Sequence, residues 1–186
     1  MDRDSIYSSL PLARSFWVVP GRLLAGAYPG DANKKDEVQK LHSLLEAGVT
    51  TIINLMEVDE RNGQGAAFRP YAPMIREMAQ DQGTAVHCLR FPIQDLGVPS
   101  HQQMRLILDT IDDQLSQGRR VYLHSRSGSG RTGTVVGCFL ARHGLASGEA
   151  ILERLAVLRR RLAEAESPSP ETVTQRTMVL GWREGE

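Results

Sequence analysis

His124, Ser125, Arg126, Ser127, Gly128, Ser129, Gly130, Arg131, Thr132 and Gly133 follow one another without interruption. They come after an apolar run, Val121 to Leu123, and lead into a second one at Val135 and Val136. A glycine-rich turn between a strand and a helix can direct successive backbone N–H groups at one point, and the helix N-terminus adds partial positive charge there. The glycines allow a ligand close to the main chain. Arg131 brings a planar fork that matches two oxygens of a tetrahedral anion. From these residues alone the stretch is a cradle for phosphate or sulfate.

Other chemistries fit less well. Gly128, Gly130 and Gly133 have dinucleotide-loop spacing, with Glu153 about 20 residues on. That fingerprint belongs in a first βαβ unit with its acidic residue at a strand end, whereas here it comes late and Glu153 falls in a helix. A hydrolase nucleophile elbow requires Gly-x-Ser-x-Gly, but Leu123 and Ser127 flank Ser125. His87-Cys88 lies in a strand pattern, with Gln94 where an arginine would be needed. Cys88 and Cys138 read as packing residues. Arg159, Arg160 and Arg161 read as a solvated face near a helix C-terminus, Asp109, Asp112 and Asp113 as solvent-facing, and His101 and His143 as surface residues.

The cradle needs a scaffold, and hydrophobic periodicity supplies one. Trp17 to Gly30 reads as strand and turn, Val49 to Leu55, Thr84 to Phe91 and Arg119 to His124 as strands. Helices are expected over Asp36 to Ala47, within Ala66 to Gln82 after Pro73, from Ser100 to Gly118, over Thr132 to His143, and from a cap at Ser147 through Ile151, Leu155, Leu158 and Leu162. Ser100 and Gln103 have capping-box spacing. Pro170 is expected to open a last helix that runs to about Leu180. Glu57 to Gly65 and Pro92 to Pro99 are loops. Strands alternating with helices indicate an α/β fold, a central mostly parallel sheet flanked by helices, in a single domain over residues 1–186.

The chain has 186 residues, with 22 Lys+Arg against 22 Asp+Glu. Zero net charge gives no global attraction for nucleic acid, so no nucleic-acid partner is expected. Two cysteines cannot form a disulfide framework or a four-cysteine zinc site, and no metal or other cofactor is expected. Met1 to Pro20 lacks the apolar run of a signal peptide, and no stretch reaches a membrane span. A cytoplasmic protein with no integral membrane part is expected; the sequence leaves the oligomeric state open.

Residues 124 to 133 resemble the active-site loop of the cysteine-dependent protein tyrosine phosphatase superfamily, His-Cys-x5-Arg-Thr-Gly, at every fixed position but 125, where serine replaces the cysteine nucleophile. Asp95, 30 residues before Ser125, matches the general-acid aspartate of compact dual-specificity members. Pro20 to Gly26 is similar to the first strand of bacterial members of that type. Glu171 to Gln175 resembles the Gln-Thr-x-x-Gln loop that positions water in long tyrosine-specific members, but departs at Glu171, so that role is not carried over. The resemblance implies a phosphatase-type α/β fold. It implies phosphate binding by residues 126 to 131, that is Arg126, Ser127, Gly128, Ser129, Gly130 and Arg131. It further implies a bracing His124, a Thr132 that stabilises the leaving thiolate, and a phosphorylated protein or small phosphomonoester as partner.

Serine cannot act as a thiolate, so this form is expected to bind phosphomonoesters with negligible turnover. An active phosphatase trapped by a Cys→Ser change is the preferred reading, because Asp95 and Thr132 are retained. The alternatives are a natural pseudophosphatase that acts as a phosphate-binding module, and a phosphoinositide or inositol phosphate phosphatase, to which Arg126 in the loop would be suited.

Overall fold

The computed structural model describes residues 10–163, 165 and 167–186. Residues 1–9 of the N-terminal segment expected to hold no leader lie outside the described residues. Among the described residues, five strands form one sheet: β1 (Ser15–Val19), β2 (Leu23–Ala27), β3 (Val49–Asn54), β4 (His87–Arg90) and β5 (Arg120–Ser125), in the order β1-β2-β5-β3-β4. β1 pairs antiparallel with β2, and the other pairings are parallel. Six helices among the described residues cover its faces: α1 (Lys34–Glu46), α2 (Ala72–Asp81), α3 (His101–Ser116), α4 (Gly130–Arg142), α5 (Ala150–Arg159) and α6 (Val173–Gly181).

Strand alternation sorts the apolar residues into two cores. Leu23, Ala25, Ile53, Val121 and Leu123 face α3 to α6, and Leu24, Ile52 and Tyr122 face α1 and α2. Helix α4 is buried from Gly130 to Ala141, as expected for a helix with apolar residues on every side. Gly137 makes that packing possible: a Cβ there would lie 2.6 Å from Val179 Cγ1 on α6.

Several boundaries differ from the sequence expectation. β4 is shorter than Thr84 to Phe91, and α2 begins at Ala72, taking Pro73 into its first turn rather than starting after it. Glu149, not Ser147, precedes α5. Helix α6 starts at Val173 rather than Pro170, because Thr172 and Gln175 form a reciprocal capping box there. The Ser100 hydroxyl caps α3 through the Gln103 N–H at 3.1 Å, but the Gln103 amide donates to the Pro92 carbonyl at 2.8 Å, tying the helix to the 92–99 loop. Arg159 is 2 % exposed, so it is no part of a solvated face. It lies four residues after Leu155 and eight after Ile151, on their buried stripe. Asp109 and Asp112 are ion-paired with Arg142 on α4, and Asp112 also meets His143. Cys138 is buried and Cys88 partly so, both as free thiols; burial pushes both thiols up.

Candidate active site

The C-terminal ends of β3, β4 and β5 point the same way, so the loops after them converge, as in open parallel sheets generally. Ser125 ends β5 and is buried; its Oγ lies 2.8 Å from Thr132 Oγ1 on the first turn of α4. From 126 to 129 the chain loops over the end of β2. The Arg126 carbonyl accepts from Tyr28 N–H at 3.2 Å, the Ser127 carbonyl from Arg14 Nη2 at 3.2 Å, and the Ser129 carbonyl from Ser169 Oγ at 2.8 Å. A trans peptide sets its C=O and following N–H on opposite sides. Carbonyls drawn outward to these donors therefore turn the N–H groups of 127, 128 and 130 inward, which makes the nest. Gly128 has φ of 81°, and a Cβ on it would sit 2.6 Å from the Gly26 carbonyl carbon. Only glycine fits both the conformation and the approach.

His124 supports the loop from beneath. It is fully buried, its Nε2 lies 2.6 Å from Tyr71 Oη, and its Nδ1 lies 3.4 Å from the Ser125 carbonyl. Burial drives its pKa down to about 3 and raises that of Tyr71 well above the ordinary value. The imidazole is thus neutral and the phenol protonated. Tyr71 O–H then donates to Nε2, and Nδ1–H faces the Ser125 carbonyl. Neither ring nitrogen reaches Ser125 Oγ, and Thr132 is its side-chain partner.

Arg131, 2 % exposed in its side chain, stands between two carboxylates. Glu60 accepts from Nη1 at 2.6 Å and from Nη2 at 2.7 Å, Asp95 Oδ1 lies 3.1 Å from Nη2, and the Ile93 carbonyl accepts from Nη1 at 3.0 Å. Asp95 Oδ2 also meets Arg126 Nη2 at 3.0 Å. Around Asp95, the cations of Arg126 and Arg131 thus face the carboxylates of Glu60 and Asp95.

Sequence reasoning singled out Asp95, His124, Ser125, Arg126, Arg131 and Thr132, and the structure brings all six together. It missed four contributors. Glu60 lies in the loop after β3, at the base of a short turn closed between Arg61 and Ala67; a loop carboxylate following a parallel strand was the available signal. Tyr71 precedes α2 and carried none. Arg159 Nη2 donates to Ser129 Oγ at 2.8 Å and Nη1 to the Ser167 carbonyl at 3.0 Å. Glu171 Oε1 accepts from Ser127 Oγ at 3.1 Å. A groove of about 870 Å³ runs from Arg126 past Tyr28 and Phe68 to Lys40 on α1. Among the described residues no helix is long and apolar enough to cross a membrane.

A nest between strand and helix, a buried arginine on its helix and an aspartate facing it define a phosphatase-type protein of α/β class. The chain belongs to the cysteine-dependent protein tyrosine phosphatase superfamily: residues 12–178 match the family described as Swiss Army Knife protein, DSP-PTPase phosphatase domain. It is 30 % identical over 131 residues, 68 % of this chain, to protein 067L of Invertebrate iridescent virus 3, whose name places it among tyrosine phosphatases. The match covers 45 % of that protein, so the chain spans less than half the length of this relative. Among solved structures, a kinase-associated phosphatase whose catalytic-site cysteine was substituted by serine superposes with a TM-score of 0.66 at 20 % identity, over 89 % of this chain and 90 % of that one. A Cys→Ser form of P. aeruginosa TpbA in complex with pTyr gives 0.62 at 15 % identity, over 97 % and 92 %. At these identities the structural likeness describes the fold.

Proposed function

We propose that the chain is a phosphomonoester hydrolase of the protein tyrosine/dual-specificity type, held in a substrate-binding form by serine at the nucleophile position, 125. The observation that carries this reading is Ser125 Oγ, 2.8 Å from Thr132 Oγ1, at the floor of a nest whose helix bears Arg131.

With cysteine at 125, the thiolate attacks phosphorus in line, an S–P bond forms and the bond to the leaving oxygen breaks. Within the 126 to 131 loop, the inward N–H groups of 127, 128 and 130 and the Arg131 guanidinium hold the equatorial oxygens as charge moves. Among the described residues no partner takes Arg131 Nε, which leaves that edge for phosphate when Asp95 gives way. Asp95 protonates the leaving oxygen. Water then attacks phosphorus, the S–P bond breaks, Asp95 accepts the water's proton, and the Thr132 hydroxyl stabilises the departing thiolate. His124 keeps the Ser125 backbone in place throughout.

Serine stops the first step. An alkoxide is far less accessible than a thiolate near neutral pH, and the neutral His124 lies off its hydroxyl, so no base activates it. Binding does not need sulfur. The groove beside Arg126 supports a phosphorylated protein segment as substrate, and the engagement of Arg126 by Asp95 leaves it less suited to a second phosphate on an inositol ring. A cytoplasmic setting belongs to the same reading, with which the free thiols are compatible.

The test is Ser125→Cys assayed with p-nitrophenyl phosphate. Activity that disappears again on Arg131→Ala supports the hydrolase. An inactive Ser125→Cys chain that still binds the ester overturns it in favour of a pseudophosphatase module. Strict preference of the cysteine form for inositol phosphates over phosphopeptides overturns the protein substrate, and the source gene's codon 125 separates a trapped enzyme from a natural serine.

A further inference from the structure

Asp95 sits in a loop held at both of its ends. On one side the Pro92 carbonyl accepts from Gln103 on α3, and Ile93 N–H donates to the Leu55 carbonyl at 3.0 Å. On the other side the partners come from α6. Gln175 Nε2 donates to the Gly97 carbonyl at 3.0 Å, and Thr172 Oγ1 donates to the Leu96 carbonyl at 3.3 Å. Between these anchors Leu96 has φ of 62°, in the left-handed region that a leucine adopts only where its surroundings hold it there.

Gln175 is fully buried, and both ends of its amide are used. Oε1 accepts from the N–H groups of Glu171 at 3.1 Å and Thr172 at 3.2 Å, which closes the first turn of α6, while Nε2 reaches across to Gly97. Gln175 thus commits both lone pairs of its Oε1 and one of its two amide N–H groups to backbone partners. Its one long-range bond, 78 residues along the chain, ends two residues from Asp95.

We infer that Gln175 is a positioning residue for Asp95: it latches the loop that carries this carboxylate to α6 through the Gly97 carbonyl. Thr172 is the second, weaker point of the same latch. The inference rests on the proposed role of Asp95 as general acid.

Gln175→Glu tests it. Glutamate keeps the shape and the oxygen that accepts from Glu171 and Thr172, but sets a second oxygen against the Gly97 carbonyl. The first measurement uses the chain with Ser125. Amide hydrogen exchange at residues 94–98 is expected to accelerate about tenfold, with β5 and α4 unchanged, as for a local opening. No change at 94–98, or equal acceleration everywhere, overturns the latch.

The second measurement uses Ser125→Cys and compares phenyl phosphate, whose poor leaving group needs the proton, with p-nitrophenyl phosphate, which needs it less. Gln175→Glu is expected to lower kcat about tenfold more on phenyl phosphate than on the nitrophenyl ester, with KM for both within about twofold. Equal losses on the two esters overturn the positioning role. A Ser125→Cys parent inactive on both overturns the proposed function and not the latch, which the exchange measurement decides by itself. Thr172→Val is a milder second variant, expected to move both readouts in the same direction should Gln175→Glu fail to fold.

Discussion

The Glu60 carboxylate and the Arg131 guanidinium meet face to face through two parallel hydrogen bonds, 2.6 and 2.7 Å long, with both side chains buried. The pair fixes the plane of the guanidinium before any ligand arrives. Breaking a buried pair from one side is costly because it strands the other charge. Glu60→Ala is therefore expected to lower stability by about 3 kcal/mol, the low end for such a pair, since Asp95 and the Ile93 carbonyl still hold Arg131. Loss of orientation is expected to weaken phenyl phosphate binding about tenfold or more. Thermal unfolding and calorimetric titration of the Ser125 chain check both; unchanged binding would show that Arg131 orients itself.

Asp95 bridges Arg126 and Arg131, at 3.0 and 3.1 Å. Its carboxylate lies where an anionic ligand must come, and it repels a dianion. Asp95→Asn is expected to tighten phosphate binding to the Ser125 chain by roughly tenfold, about 1.4 kcal/mol. In the Ser125→Cys form the same change is expected to lower kcat by about a hundredfold or more. Opposite signs in titration and turnover distinguish a catalytic carboxylate from one that merely holds the arginines.

His124 gives a pH dependence of known sign. Its pKa falls from 6.5 to about 3 on folding because burial disfavours the charged ring. Between those values the unfolded chain binds a proton that the folded one does not, so stability rises with pH there and is lost as pH falls below 6.5. The slope from this group is about 1.4 kcal/mol per pH unit. Urea unfolding from pH 7 to pH 5 is expected to show it, and His124→Gln, which does not titrate, is expected to lack that part of the slope. Parallel pH profiles for the two proteins would refute the assignment.

Gly128 carries both a left-handed backbone and a close approach to Gly26. Gly128→Ala is expected to cost more than the roughly 1–2 kcal/mol of the left-handed region alone, because the added carbon meets backbone that cannot yield. The loop must shift, and binding of phenyl phosphate is expected to fall by about a hundredfold. Titration alongside a melting curve checks this. Binding that survives would mean that the nest tolerates rearrangement.

Much of this was legible along the chain because it is local. The run from His124 to Gly133 carries its own spacing, so its chemistry could be read without knowing the fold. The β-branched run at 49–55 and the stripe Met104, Ile107, Leu108 and Ile111 report which way a strand or helix faces, since side-chain periodicity is set by the backbone. Even Arg159 could have been placed by stepping four residues from Leu155, but its charge at a helix end favoured the solvated reading.

What the sequence could not determine is which distant groups share a neighbourhood. Glu60 reaches Arg131 across 71 residues, Arg159 reaches Ser129 across 30, and Gln175 reaches Gly97 across 78. No periodicity links such pairs. The strand order β1-β2-β5-β3-β4 sets β5 in the centre and brings the loops after β3 and β4 over its end. The sequence by itself therefore determined a glycine-rich turn between strand and helix, with serine at 125 and arginine at 131. Only the tertiary structure decided which carboxylates and amides hold the cradle's arginine and the facing aspartate in place, because long-range contacts follow from packing and not from spacing.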